Sequence, residues 1–211
     1  GLNGHWIAVI YADDPYSVGY KNTVIGARPT LDFGLSPTAK IRASHVTVNE
    51  QGQASFKLQS AQFSGLIHLK SLGAHNVTNA LAAIAITSLY DITFTDIKKG
   101  LESVHAVSNR LMVRAGLKGS TLIDESYSAI PAAVEAALKV LAVAKGRKIF
   151  IFADMAELNT TQIVTAHQTV AKQAKEYGVN DLLVIGEAAK HTAEAFANGK
   201  WFENQRALIE H

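Results

Sequence analysis

Three short segments of this sequence gather side chains that could do chemistry. The first is Gly73-Ala74-His75-Asn76-Val77-Thr78-Asn79-Ala80-Leu81-Ala82-Ala83. A side-chain amide offers a donor and an acceptor together, the pair needed to read the edge of an adenine. Asn79 falls one turn beyond Asn76, near the same end of an Ala-rich helix that Asn76 or the residues just before it can cap. The second segment is Asn109-Arg110-Leu111, followed by Thr121-Leu122-Ile123-Asp124-Glu125-Ser126-Tyr127-Ser128-Ala129-Ile130-Pro131. A guanidinium fork suits phosphate oxygens, although an acid that follows a strand often only closes a turn. The third is Phe152-Ala153-Asp154-Met155-Ala156-Glu157-Leu158-Asn159, with His167 in the helix after it. Taken alone, an acidic loop in this position is more often a helix cap than a site. His5, His45, His68, His105, His191 and His211 are scattered without ligand spacing, which points to surface or structural roles, and Lys145-Gly146-Arg147-Lys148 reads as a solvated basic turn.

The elements that must position these groups differ between the two halves. Trp6–Tyr11 is a short apolar run closed by the turn Ala12-Asp13-Asp14-Pro15, as expected of a buried strand. Residues 45–70 alternate, with Val46, Val48, Phe56, Leu58, Ile67 and Leu69 on one face, and predict antiparallel strands. Helices are expected from Asn76 to about Tyr90 and from Thr95 to Ser103. The second half cycles more regularly: strand at Thr121–Ile123, helix from Pro131 to about Val143, strand at Lys148–Phe152, helix at Thr161–Tyr177, strand at Asp181–Ile185, helix from Glu187 to about Ala197. Proline suits the first turn of its helix. Alternation of this kind predicts a parallel sheet, with ligands beyond the carboxyl ends of its strands. The division is expected near Val107–Arg110, giving domains 1–107 and 108–211.

Bulk properties narrow the function classes. The chain has 211 residues, 48% of them hydrophobic and 18% charged, which is ordinary for a folded domain or two. Twenty basic and 18 acidic side chains leave a net charge of +2, with no electrostatic footprint for nucleic acid. Cysteine is absent, so disulfides and thiolate metal sites are excluded. No stretch approaches the roughly 18 unbroken apolar residues of a membrane helix. A soluble, cytoplasmic protein with no membrane insertion is expected.

The three segments, in this order, resemble the Mur ligase superfamily. Gly-x-His-Asn-x-x-Asn-Ala-Leu-Ala-Ala is similar to the helix start that contributes the adenine side of that family's ATP site, which implies nucleotide contacts at His75, Asn76 and Asn79. Asn109-Arg110 and the strand ending in Asp124-Glu125-Ser126-Tyr127 resemble the interdomain Gly-Arg and the Asp-Asp-Ser-Tyr-Asn-Ala-Asn-Pro of the D-alanyl-D-alanine-adding branch. The resemblance implies that Arg110 faces the phosphates as the catalytic cation and that Asp124 faces the ribose, with Tyr127 nearby. Asp154-Met155-Ala156-Glu157-Leu158 resembles Gly-Asp-Met-x-Glu-Leu-Gly, which implies amine-substrate contacts at Asp154 and Glu157, with Ser128 as a further candidate. This chain departs from the pattern at Asn109, Ala153 and Asn159, where glycine is usual, at Glu125, and at Ser128 and Ile130, which replace two asparagines.

The implied fold is α/β: the later part of a central ATP-binding domain with antiparallel strands and helices, then a Rossmann-like parallel-sheet C-terminal domain. The implied reaction uses ATP and Mg²⁺ to join D-alanyl-D-alanine to a UDP-N-acetylmuramoyl tripeptide through an acyl phosphate. No Gly-x-x-x-x-Gly-Lys-[Ser/Thr] and no Gly-x-Gly-x-x-Gly occur in the chain. In the family the phosphate loop, the magnesium ligands and the UDP-sugar domain precede the matched region, and further sequence follows it. The chain is therefore expected to be a piece of the enzyme, inactive alone. Two other readings stand beside this one: a non-catalytic nucleotide-binding or interaction module, and another superfamily branch of the folylpolyglutamate or cyanophycin type.

Overall fold

A computed structural model describes residues 7–25, 28–105, 107–155 and 157–211. Trp6, His5 and Ala156 lie outside these. The chain divides into two compact units at His105, the Glu50–Gly52 turn apart. No described helix is long and apolar enough to cross a membrane.

In the first unit β1 (Ala8–Tyr11) leads through a helical turn α1 (Ser17–Gly19) to β2 (Thr30–Gly34), β3 (Ile41–Val48), β4 (Gln53–Gln59) and β5 (Ser64–Leu72). The sheet order is β1-β2-β3-β4-β5. The expected antiparallel pairing holds from β3 to β5, although a register shift between Ser44 and Thr47 leaves Val48 exposed rather than on the covered face. β1, β2 and β3 pair in parallel, so the sheet is mixed. β2 escapes a reading by pattern because Asp32 sits in its middle. That carboxylate is buried and satisfied by Lys21 Nζ at 2.8 Å and the Lys40 amide at 2.7 Å.

Helix α2 (His75–Thr87) lays Val77, Ala80, Leu81, Ile84 and Ala85 into the core, a stripe at the 3–4 residue spacing of one helix face. Phe56, Leu58 and Ile67 meet it from the sheet, all with no exposed surface. Helix α3 (Phe94–Ser103) begins at Thr93, whose hydroxyl accepts from the Asp96 amide at 3.2 Å.

The second unit opens with β6 (Met112–Ala115) and β7 (Thr121–Asp124). These form a two-stranded antiparallel ribbon with Met112 opposite Asp124, which corrects the placement of Thr121–Ile123 in the parallel sheet. The two strands lie close in sequence and exchange their ladder bonds with each other, closed by Gly116 N–H donating to Ser120 O at 2.8 Å. Then follow α4 (Pro131–Val143), β8 (Ile149–Ala153), α5 (Ile163–Glu176), β9 (Asp181–Ile185), α6 (Lys190–Ala195), β10 (Lys200–Phe202) and α7 (Gln205–Glu210). The sheet β10-β9-β8 is wholly parallel. One core joins Val134 and Leu138 of α4, Val170 and Ala174 of α5, Ala189 and Ala193 near α6, and Phe152, Leu182 and Val184 of the sheet.

The Lys145–Lys148 turn is not merely solvated. Arg147 forks onto Asp181 at 2.6 and 2.7 Å, and Lys148 Nζ donates to Ala142 O at 2.7 Å. The pair is exposed, so it orients β9 more than it stabilises it.

Because Leu81 is fully buried between α2 and the sheet, Leu81→Ala in the 211-residue chain is expected to cost about 2–5 kcal/mol. Urea unfolding of the first unit measures it, and a loss below about 1 kcal/mol would mean that the core closes over the cavity.

Candidate functional site

The start of α2 is built on a chain reversal. After Leu72, the last residue of β5, Gly73 takes φ of 93°, where a side chain would be strained. Of Asn76 and the residues just before it, the helix takes its cap position from the latter. The N-cap is Ala74, which has no capping side chain. Instead the Asn76 amide nitrogen reaches back to Leu72 O at 2.7 Å and lies 3.3 Å from His75 Nε2, while its oxygen accepts from Asn79 Nδ2 at 3.1 Å. His75, Asn76 and Asn79 thus form one hydrogen-bonded chain that fixes the orientation of both amides. Asn79 is exposed at its end, offering a donor and an acceptor to a ring with the complementary edge. Desolvation by its surroundings holds the His75 imidazole below its ordinary pKa, and Nε2 stands where it can accept from the Asn76 amide nitrogen.

The second cluster lies wholly in the other unit. Asn109 and Leu111 take φ of 63° and 48°, so Arg110 sits between two left-handed residues. Asn109 tolerates this where the resembled family has glycine. Leu111 is held there by its burial and by its amide donating to the Glu125 carboxylate. The Tyr127 amide donates to Asn109 O at 3.1 Å. These ties bring Arg110 over the Tyr127 ring, 3.9 Å from guanidinium carbon to centroid. Stacking uses the flat face of the guanidinium and leaves its N–H edge for an anion.

Asp124 ends β7. Its Oδ1 accepts from Ser126 Oγ at 2.7 Å and from the Ser126 amide at 3.2 Å, and its Oδ2 lies 3.3 Å from Arg114 Nε. The Ser126 hydroxyl, with help from Arg114, holds this carboxyl below its ordinary range. Arg114 is the residue that the sequence reading missed. It pairs with Leu122 on the face of β6 that carries Met112, the partner of Asp124, and so reaches Asp124 diagonally across the ribbon. Only the unrecognised ribbon could have revealed it. Glu125 behaves oppositely: burial pushes its carboxyl up, against the Leu111 amide and the Arg110 charge, which pull it down.

The third cluster lies past the carboxyl end of β8. Asp154 Oδ1 accepts from the Ala189 amide at the start of α6 at 2.7 Å. His167 is fully buried, with Nδ1 2.9 Å from Thr192 Oγ1 and Nε2 3.5 Å from the Met155 amide. Glu157 is exposed on the same loop and Ser128 is half-buried before α4. Among the described residues neither joins the Asp154 hydrogen bonds. Ala153 and Asn159 stand where the resembled family has glycine, and neither takes a positive φ. Among the described residues no three His, Asp or Glu side chains gather as a metal site would need.

A pH test follows from Glu125. A carboxyl with a raised folded-state pKa binds its proton more tightly folded than unfolded, so its contribution is present in acid and lost as pH rises through that pKa. Glu125→Gln keeps an oxygen for the Leu111 amide and removes the titration. Measured by thermal unfolding, its stability relative to wild type is expected to rise between about pH 4 and pH 7. A flat difference would mean that Glu125 is not held up by burial.

The model of the Mur ligase middle domain matches residues 1–87, and that of the Mur ligase, glutamate ligase domain, matches residues 109–211. The UDP-N-acetylmuramoyl-tripeptide–D-alanyl-D-alanine ligase of Escherichia coli K12 is 32% identical, over 99% of this chain and 46% of its own length. The chain thus spans about half the length of the curated relatives it matches. Among solved structures, MurF from Acinetobacter baumannii superimposes with a TM-score of 0.88 at 24% identity, covering 98% of this chain and 44% of that one. MurF from Thermotoga maritima in complex with ADP gives 0.78 at 18% identity, covering 97% and 46%. Two adjoining domain matches, in the family's own order and spanning both units, leave one conclusion: the chain belongs to the Mur ligase family.

Proposed function

We propose that this chain is the middle-to-late part of an ATP-dependent ligase that adds D-alanyl-D-alanine to UDP-N-acetylmuramoyl-tripeptide in peptidoglycan precursor synthesis. The observation that carries the reading is the likeness to the E. coli enzyme of that name over nearly the whole chain. The ADP-bound relative supports a nucleotide role. In this reading the γ-phosphoryl of ATP passes to the tripeptide carboxylate, releasing ADP. The dipeptide amine then attacks the acyl phosphate, forming the amide as phosphate leaves and the amine gives up a proton.

Each residue takes the part that its surroundings allow. The exposed Asn79 amide, oriented through Asn76 and His75, reads the adenine edge. The Asp124 carboxyl, held below its ordinary range by the Ser126 hydroxyl, offers acceptors to ribose hydroxyls. Arg110 is the catalytic cation: Tyr127 supports its flat face while its edge takes phosphoryl charge. Asp154 and Glu157, with Ser128, receive the incoming amine, whose ammonium form suits carboxylates. The described residues offer no cluster for Mg²⁺, and the reading assigns that ion to ligands outside them. Reaction in the cytoplasm, where ATP is supplied, completes the proposal.

ADP titration of the 211-residue chain by calorimetry tests the nucleotide assignment. Asp124→Ala and Arg110→Ala should each weaken binding by about tenfold, the worth of one charge-assisted hydrogen bond. Equal binding by wild type and Asp124→Ala would remove Asp124 from the site.

A further inference from the structure

The proposed chemistry leaves one fully buried titratable side chain of the second unit without a part. His167 on α5 and Thr192 on α6 are both inaccessible to solvent and face each other at 2.9 Å. The other ring nitrogen stands 3.5 Å from the Met155 amide, a long contact in which it can only accept. Accepting at Nε2 requires the tautomer in which Nδ1 carries the proton and donates to the Thr192 hydroxyl. The ring packs at a tilt on Phe152, 5.4 Å between centroids. Burial lowers the imidazole pKa with His191 acting in the same sense, and Asp154 works against both.

A second tie lies one residue away. The Asp154 carboxylate accepts from the Ala189 amide, and a Cβ at Gly186 would fall within 2.6 Å of that carboxylate. Residues 154 and 155 are thus both fastened to the start of α6, one through a carboxylate and one through an imidazole. Glu157 follows two residues later and is exposed.

We infer that His167 is a positioning residue for the amine-substrate loop: it ties the Met155 backbone to α5 and α6, so that Asp154 and Glu157 are presented in one fixed arrangement to the ammonium of the dipeptide. The inference rests on assigning that loop to the amine substrate. A hydrogen-bonded polar pair fills a place that apolar side chains of similar volume could occupy, and such apolar replacement often costs little stability. What the pair adds is direction. Imidazole donates on one side and accepts on the other, and a carboxamide can do the same with its oxygen and nitrogen.

The test uses the 211-residue chain. Nitrogen-15 NMR of wild type should report a neutral His167 protonated at Nδ1. His167→Leu should speed amide exchange at Met155 and weaken D-alanyl-D-alanine binding, followed at the Glu157 amide, each by about tenfold. His167→Gln should restore both. Should the Leu variant not fold, Thr192→Val removes the Nδ1 partner at nearly constant volume and should move the same two readouts. Exchange and affinity within about twofold of wild type in the folded variants would overturn the inference, as would an Nε2-protonated ring. If wild type ignores the dipeptide while Met155 protection still depends on His167, the substrate assignment fails and the tie stands. If wild type and every variant bind the dipeptide equally, the assignment stands and the positioning role falls.

Discussion

Leu111 has a backbone amide with no strand or helix to receive it, and the Glu125 carboxylate supplies its acceptor. Much of the second unit's candidate site depends on that bond. A non-glycine residue at positive φ is costly, and the segment Asn109–Leu111 holds two of them. Burial of the Leu111 side chain and capture of its amide stabilise the bend. The bend in turn points Arg110 onto Tyr127, whose own amide is tied to Asn109. Without the Glu125 acceptor the bend would relax toward extended backbone and the cation would lose its platform.

The same device recurs in each cluster. Backbone groups that an irregular turn leaves unpaired are taken up by side chains which also have chemistry to offer. Asn76 takes the Leu72 carbonyl and orients Asn79. Asp124 takes the Ser126 amide, and Asp154 takes that of Ala189. Asp154 spends one carboxylate oxygen on structure in this way, whereas Asp124 also meets Arg114 with its second oxygen and Asn76 uses both polar atoms, passing the free end of its chain to Asn79. Buried or half-buried backbone polar groups must find partners, so the turns that build these sites also limit which residues can occupy them.

The sequence was most legible where structure is local. α4 starts at Pro131 and ends at Val143 as expected, because proline marks the first turn and the apolar period does the rest. β3, β4 and β5 follow from alternation and one hairpin turn. β2 and β6 were not legible. β2 carries a buried Asp32 whose lysine partners come from elsewhere in the chain, and β6 is half arginine-bearing surface whose only reason to be a strand is β7. The site shows the same division. Residue types at His75, Asn79, Arg110, Asp124 and Asp154 announce polar chemistry, but their partners (Arg114, Ala189, Thr192) are chosen by tertiary folding. No local pattern encodes those choices.

The departures from the family pattern sort by the same logic. At Asn109 the backbone still needs the left-handed region, and asparagine is the residue type that can replace glycine there at small cost. At Ala153 and Asn159 the backbone does not go left-handed, so nothing in the loop penalises a side chain. The loop is held from outside instead, by the Ala189 amide and the buried imidazole. At Glu125 the carboxylate reaches the Leu111 amide, so the longer acid keeps the bend that Arg110 requires. At these positions substitution has been accepted where the backbone requirement is met by another route, whereas nothing in the structure explains Ser128 and Ile130 in place of two asparagines.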